Sequence, residues 1–450
     1  MGDLCSEITV GHVGSMTNEY RDSGIPFFRS KNIREYRIDW DDIKYISQSF
    51  HEKLKKSTLR PGDVAVVRTG KPGTACVIPD YIDEANCSDL VIMRVNPHRL
   101  SAYFLSYYLN SVANHQINSQ LVGAVQQHFN VGAAKKLSII IPDRNEQEKI
   151  VKVIKDLDDK IQLNHKNNQT LEQMAQAIFK NWFVDFEPVK AKIAARESGG
   201  SEEDTLLAAM QAISGKTEAQ LTRLQAEQPE QYAELRGIAE LFPSAMHESE
   251  LGAIPKGWEV STIGAEVEVK GGGTPPTKNN EYWDEGDIHW SSPKDLSNSQ
   301  SKIMISTERK ITNAGLAKIS SGLLPVDTVL MSSRAPVGYL ALAKIPVAIN
   351  QGYIAMICNR QLRPEYVIQW ADSVMGDIKQ RASGTTFAEI SKKSFREIPL
   401  VVPSVETISR YSEIARTQYT AIELNLHNSK TLTEIRDSLL PKLLSGELEA

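Results

Sequence analysis

Residues of catalytic type are present in this 450-residue chain, but they are not spaced for catalysis. A cofactor-dependent methyl transfer needs a glycine-rich loop after a strand and an Asn/Asp-Pro-Pro-aromatic tetrapeptide to hold an amino group. Gly271-Gly272-Gly273-Thr274-Pro275-Pro276-Thr277 supplies glycines and a Pro-Pro, but neither the Asn/Asp nor the aromatic. Ser214-Gly215-Lys216-Thr217 copies the end of a phosphate-binding loop, yet Met210 stands where its first glycine must be. There is no His-Glu-x-x-His, and the nine histidines are dispersed, which argues against a metal cluster. No Asp…Glu-x-Lys nuclease set occurs, and nothing points to a Ser/His/Asp triad. Cys5, Cys76, Cys87 and Cys358 are scattered without a Cys-x-x-Cys pair, so they read as reduced thiols.

What remains is the chemistry of binding. Arg, Lys, Asn, Gln, Ser and Thr are the side chains that hold phosphates and read base edges. They gather at turns between β-like runs. The first half of the chain has Arg29, Lys31 and Asn32, then Arg68, Thr69 and Lys71, then Gln126, Gln127 and His128. The second half has Ser291, Ser292 and Lys294, then Ser333 and Arg334, then Thr385 and Thr386. Arg68, Lys71, Lys294 and Arg334 are expected on phosphates. Asn32, Gln126, Gln127, His128, Ser292 and Ser333 are expected to include base readers. Gly70, Gly73 and Gly338 are expected to let the backbone approach a partner.

The elements that position these turns come twice. Leu163–Leu171 lies over Leu424–Leu432 with five of nine residues identical, at an offset of 261. The same offset aligns Gly123 with Gly384 and Ile141-Pro142 with Val402-Pro403, and it drifts to 264 at Pro61-Gly62-Asp63. Such a period marks a duplicated unit. Each copy alternates short apolar runs with turn signals: Asp63–Arg68, Ala75–Ile78 and Leu90–Val95, then Thr328–Met331, Tyr339–Leu342 and Tyr353–Ile357. A helix follows in each copy, Ser101 to Ser119 and Pro364 to Arg381. The copies end in apolar strands closed by proline, Ser138–Pro142 and Ile398–Pro403. The first copy has no counterpart of Ile254–Val260. The fold class is mixed α/β, with two pseudo-repeated domains and two long helices.

After each copy, steps of four and three run without Pro or Gly from Ile150 through Ile154, Leu157, Ile161, Asn164, Asn168, Leu171, Ala175 and Ile178 to Trp182. The second set is Tyr411, Ala415, Gln418, Ile422, Asn425, Ser429, Leu432, Arg436, Leu439 and Leu443. Asp143 and Ser404 are the expected N-caps. Both seams carry a polar notch, Asn164-x3-Asn168 and Asn425-x3-Ser429, which favours pairing of the two helices as an antiparallel coiled coil. A helix of about 35 residues is ~52 Å long. The divisions are 1–143 and 251–403 for the two copies, 144–186 and 404–450 for the helices, and 187–250 for an insert. The insert carries 6 Lys+Arg and 12 Asp+Glu, a net charge of −6. Short helices are expected over Thr205–Ile213 and Glu218–Gln225, a loop over Glu227–Gln231, and a solvated linker as the whole. Because the acidity sits there and in the tail, a net charge of −5 does not exclude nucleic acid. No secretory leader and no run of about 18 apolar residues is present, so a cytoplasmic, non-membrane protein is expected.

Together these residues resemble the specificity subunit of type I restriction-modification systems. The resemblance covers essentially the whole chain and rests on Arg60–Asp63, Met331–Arg334 with Gly338, Gly384–Ile390 before Ile398-Pro399-Leu400, Ala177–Phe186, Leu251–Trp258 and Leu440–Leu448. Where the second copy has Gly384-Thr-Thr-Phe-Ala-Glu-Ile390, the first has Gly123-Ala-Val-Gln-Gln-His-Phe-Asn130, so the first is the less typical. The resemblance implies a non-catalytic DNA-binding subunit whose two target-recognition domains read the halves of a bipartite asymmetric site, with the paired helices as the spacer. It implies double-stranded DNA, two copies of the methylation subunit and a restriction/translocase subunit as partners. S-adenosylmethionine, ATP and Mg are then expected on those partners, with no cofactor bound directly. The alternative reading is a stand-alone two-headed DNA-binding scaffold. The exposed-looking Phe179, Trp182, Phe183 and Phe186 lead to an expectation of poor behaviour without partners.

Overall fold

The computed structural model describes residues 1–119, 128–297, 299–384 and 388–450. They form two compact units: residues 1–162 with 429–450, and residues 163–428. The division falls inside both long helices, not at residues 143 and 404.

The first unit is built on a four-stranded antiparallel sheet ordered Cys5–Val10, Leu90–Val95, Val64–Val67, Ala75–Val77. Its central strands read as unbroken apolar runs because both faces are covered. Val64, Val66, Val91 and Met93 face the helix Ala102–Asn110, while Ala65, Val67, Leu90 and Ile92 face a second core. That second core lies under a five-stranded sheet in which Ile25–Phe28 pairs parallel to Ala85–Cys87 and antiparallel to Lys44–Ile46.

The second unit repeats this plan. Its main sheet is ordered Glu268–Gly271, Tyr353–Ile357, Thr328–Ser332, Leu340–Ala343, with Ile303–Met304 added at the edge. Cys5 and Glu268, like Leu90 and Tyr353, stand 263 residues apart, and Val64 and Thr328 stand 264 apart. The smaller sheet again has a parallel pair, Ile288–Ser291 with Ala348–Ile349, and an antiparallel neighbour, Arg309–Ile311. The apolar segments at the ends of the copies differ. Pro399–Val402 is a strand because Glu259–Thr262 pairs with it. Ser138–Ile141 is in no strand among the described residues, and Ile140 is left 69% exposed.

The long helices are Arg144–Phe179, continued by a π-turn at Lys180–Val184, and Val405–Ser445. Asp143 and Ser404 cap them, accepting from the backbone N–H groups of Glu146 (2.9 Å) and Thr407 (3.2 Å). Pairing is antiparallel in each unit. In the first, Ile150 and Ile154 pack with Leu440, Leu443 and Leu444, and Asp158 meets Arg436 at 2.8 Å. In the second, the Asn425 amide donates to Asn168 (2.9 Å) and the Tyr411 hydroxyl to the Ala175 carbonyl (3.3 Å). Ile154, Ile161, Asn164 and Ile422 are buried; Leu157, Leu171, Ile178, Asn425, Leu432 and Leu439 are half-buried. The seam departs from the expected steps at Leu157, where the neighbouring Asp158 is the buried residue.

The insert is folded, which corrects the linker expectation. It forms four helices, Glu187–Glu197, Glu202–Ser214, Glu218–Glu227 and Pro229–Glu240. Ser201 with Asp204 and Thr217 with Gln220 make capping boxes, and Pro229 opens the last helix where a loop was expected. Ala209, Met210, Leu221 and Ala239 form its own small core. Val189, Ile238 and Phe242 join the main core of the second unit, where they cover Phe179, Trp182 and Phe183. Those three aromatics are therefore interior, and Phe186 is half-buried against Trp258. All four cysteines are free. Among the described residues no helix is long and apolar enough to cross a membrane.

Candidate nucleic-acid interface

In each unit the strand Ile25–Phe28 or Ile288–Ser291 runs into a short turn that carries candidate residues. A polar side chain folds each turn back on itself. Asn32 accepts the Arg29 N–H (3.1 Å) and donates to the Asp39 and Asp41 carbonyls (3.1 and 3.2 Å). Asp295, 263 residues on, accepts the Ser292 N–H (2.8 Å) and the Glu308 N–H (2.8 Å). Asn32 is fully buried and committed to this staple, so it does not read bases. Ser291 is likewise fully buried, its hydroxyl against the Tyr353 hydroxyl at 3.0 Å. Ser333 is 3% exposed. These three candidates are corrected to scaffold: the sequence shows their polarity but not that the chain closes over them.

The cations of the same turns remain outside. Lys31 and Lys294 are 49% and 67% exposed. Lys31, Arg29 and Lys44 converge on Asp42, Arg29 at 3.2 Å and Lys44 at 2.8 Å. Hydrogen bonds from Lys31, then Lys44 and Arg29, hold the Asp42 carboxyl well below the usual carboxylate range. Lys294 meets Glu308 at 3.0 Å.

A second group lies at the turn after Val64–Val67 and its counterpart after Thr328–Ser332. In the first unit Asp89, held at φ 56°, gathers Ser30, Arg68 and Thr69. Ser30 donates to its carboxylate at 3.0 Å and Thr69 at 3.2 Å, and Arg68 stands 4.0 Å away. The Thr69 hydroxyl also meets His128 Nδ1 at 3.0 Å. The backbone explains why these residues meet: Arg68 receives the Phe129 N–H (3.0 Å), just as Ser333 receives the Ile390 N–H (3.0 Å). Arg334 and Glu389, 3.6 Å apart, thus take the places of Thr69 and His128. Ser292 is half-buried with its hydroxyl on Asp295, and Lys71 is exposed. Gln126, Gln127, Thr385 and Thr386 lie outside the described residues. Gly73 and Gly338, at φ 93° and 108°, face the short helices Asn114–Ser119 and Met375–Gln380, where an added Cβ would meet Ile117 at 2.7 Å or Met375 at 2.5 Å. Their freedom serves that packing, not the approach of a partner; only Gly70 faces open space.

Sequence reasoning missed Asp42, Lys44, Asp89 and Arg309. Arg309 stacks 3.5 Å from the Trp283 ring centre, with Trp290 at 5.6 Å. The 26-residue separation of Trp283 from Arg309 gives no local signal, and Asp42 reads as one of a surface acidic run until the sheet brings Lys44 beside it. Among the described residues no group of three His, Cys, Asp or Glu side chains is placed to hold a metal. The arrangement offers hydrogen-bonding groups and cations, in duplicate, at matching turns.

A family profile described as "Type I restriction modification DNA specificity domain" matches residues 7–173 and 255–436, leaving most of the folded insert between the two spans. The type I restriction enzyme HindI specificity subunit of Haemophilus influenzae is 37% identical over 324 residues, 70% of each chain. A putative type I restriction enzyme MjaX specificity subunit of Methanocaldococcus jannaschii is 20% identical over 436 residues, 94% of this chain and 87% of its own. Among solved structures, the type I restriction-modification S subunit from M. genitalium gives a TM-score of 0.51 at 17% identity, covering 98% of this chain and 94% of that one. At that identity the likeness is one of fold.

Proposed function

The chain belongs to the type I restriction-modification DNA specificity family, and from that premise we propose that it reads double-stranded DNA in the cytoplasm with two recognition domains, each taking one half of a bipartite asymmetric site. The observation that carries this reading is the duplication of the interface. Two units with the same strand order place cations and hydrogen-bonding groups on the same two turns. Arg29, Lys31, Arg68 and Lys71 in one unit, and Lys294 and Arg334 in the other, hold phosphates. Thr69, His128 and Ser292, with Gln126, Gln127, Thr385 and Thr386, supply the base readers. The chain recognises and others react: two methylation subunits hold S-adenosylmethionine, and a restriction/translocase subunit uses ATP and Mg.

The test is a genome-wide map of N6-methyladenine in the source cell with the gene intact and deleted. The expected result is that one split motif with a fixed gap loses its methylation on deletion. An unchanged map would overturn the proposal and favour the stand-alone scaffold. At residue level, Arg334→Ala is expected to weaken binding to all sequences alike and to lower the slope of log affinity against log salt by about one. Unchanged affinity and slope would remove Arg334 from the phosphate set.

A further inference from the structure

The two units share an exposed ion pair. Lys31 stands three residues beyond Ile25–Phe28, and Lys294 three beyond Ile288–Ser291. Each is paired with an acid that precedes the neighbouring strand: Asp42, two residues before Lys44–Ile46, and Glu308, one residue before Arg309–Ile311. The strands are in matching register, Phe27 opposite Lys44 and Trp290 opposite Arg309. Between them the connecting segments differ in length and sequence, yet the pair recurs. Its members are roughly half or more exposed (49% and 49%; 67% and 59%), and exposed pairs contribute little to stability. Nor do these acids staple the turns, because Asn32 and Asp295 do that.

A carboxylate on a lysine ammonium is chemically a stand-in for a phosphate oxygen. Resting on the DNA-reading proposal above, we propose that Asp42 and Glu308 are built-in counter-charges: they occupy Lys31 and Lys294 in the DNA-free protein and are displaced by backbone phosphates, which holds down the sequence-independent grip of each domain. A second cation stands at the matching strand position in each unit, Lys44 and Arg309. Lys44 touches Asp42 itself, and Arg309 is clamped by the Trp283 ring. Sequence-independent affinity scales with the number of phosphates neutralised, so every lysine kept occupied lowers it.

The full-length chain, bound to a fluorescent duplex of arbitrary sequence across a range of salt, tests this. Asp42→Asn and Glu308→Gln are each expected to raise affinity about threefold to tenfold and to steepen the salt slope by about one. Asp42→Glu and Glu308→Asp should restore the parent slope. In a Lys294→Gln background, Glu308→Gln should gain nothing, because the lysine it releases is absent. Variants that bind like the parent, or a Glu308→Gln gain that persists without Lys294, overturn the counter-charge role while leaving DNA reading intact. A parent chain that binds no duplex at any salt overturns DNA reading itself, and the counter-charges with it. Unchanged thermal unfolding of each variant confirms that the readout is electrostatic.

Discussion

Trp182→Ala is expected to remove about 3–5 kcal/mol from the stability of the unit formed by residues 163–428. The indole is 1% exposed and lies where three parts of that unit meet. Its ring meets Phe242, at the end of the insert, edge-on at 5.2 Å; Phe183, in the π-turn, at 6.0 Å; and Tyr411, on the second long helix, at 6.1 Å. Truncation leaves a cavity that rings held from three sides cannot collapse to fill. At about 2–4 °C per kcal/mol for a unit of this size, calorimetry should show the transition of this unit lowered by roughly 6–20 °C. Val184→Ala, two residues on and 45% exposed, should stay within about 0.5 kcal/mol. A loss below about 1 kcal/mol at Trp182 would show that the insert does not close the core.

The other large effect is at Arg436. Its guanidinium is 2.8 Å from Asp158, 4.7 Å from the Tyr36 ring centre and also hydrogen-bonded to Asp437. Arg436 and Asp158 side chains are each only 12% exposed. Removing one partner of such a pair strands the other charge, and Arg436→Ala is expected to destabilise the unit of residues 1–162 and 429–450 by about 3–5 kcal/mol in urea unfolding. The double replacement Asp158→Leu with Arg436→Met should be near neutral or stabilising, because it removes the desolvation of two charges. If the double variant is as unstable as the single one, the pair holds the fold by more than its charge. The hairpin Ile33–Ile38, on which Tyr36 sits at φ 67°, follows directly from the Arg29–Asn32 turn, so the ion pair also braces the turn proposed above to hold phosphates.

Much of this architecture is legible in the sequence, for identifiable reasons. Val64–Val67 and Thr328–Ser332 read as strands because sheets covered on both faces need unbroken apolar runs. The duplication reads at offsets of 261 to 264, and the structure places equivalent strands 263 to 265 apart. What does not read is what depends on neighbours distant in the chain. Ser138–Ile141 has a strand's composition, but among the described residues no strand pairs with it. Asp158 occupies a seam position only because Arg436 comes to meet it. Asn32 and Ser291 are the right residue types for base reading, but the fold closes over them. The insert reads as polar and acidic because its apolar residues are few, yet Val189, Ile238 and Phe242 suffice to seat it on a core supplied by other segments.

The two units also differ in how the chain composes them. Residues 163–428 are one uninterrupted stretch, whereas the other unit needs residues 1–162 and then 429–450. Leu440, Leu443 and Leu444 belong to the same core as Val64, Phe104 and Ile150. On a ribosome adding roughly 5–20 residues per second, the domain made first therefore waits through the synthesis and folding of the second before its own core can close. Through that interval its core lacks Leu440, Leu443 and Leu444, so the nascent N-terminal domain has the longest exposure to chaperones, proteases and misassociation.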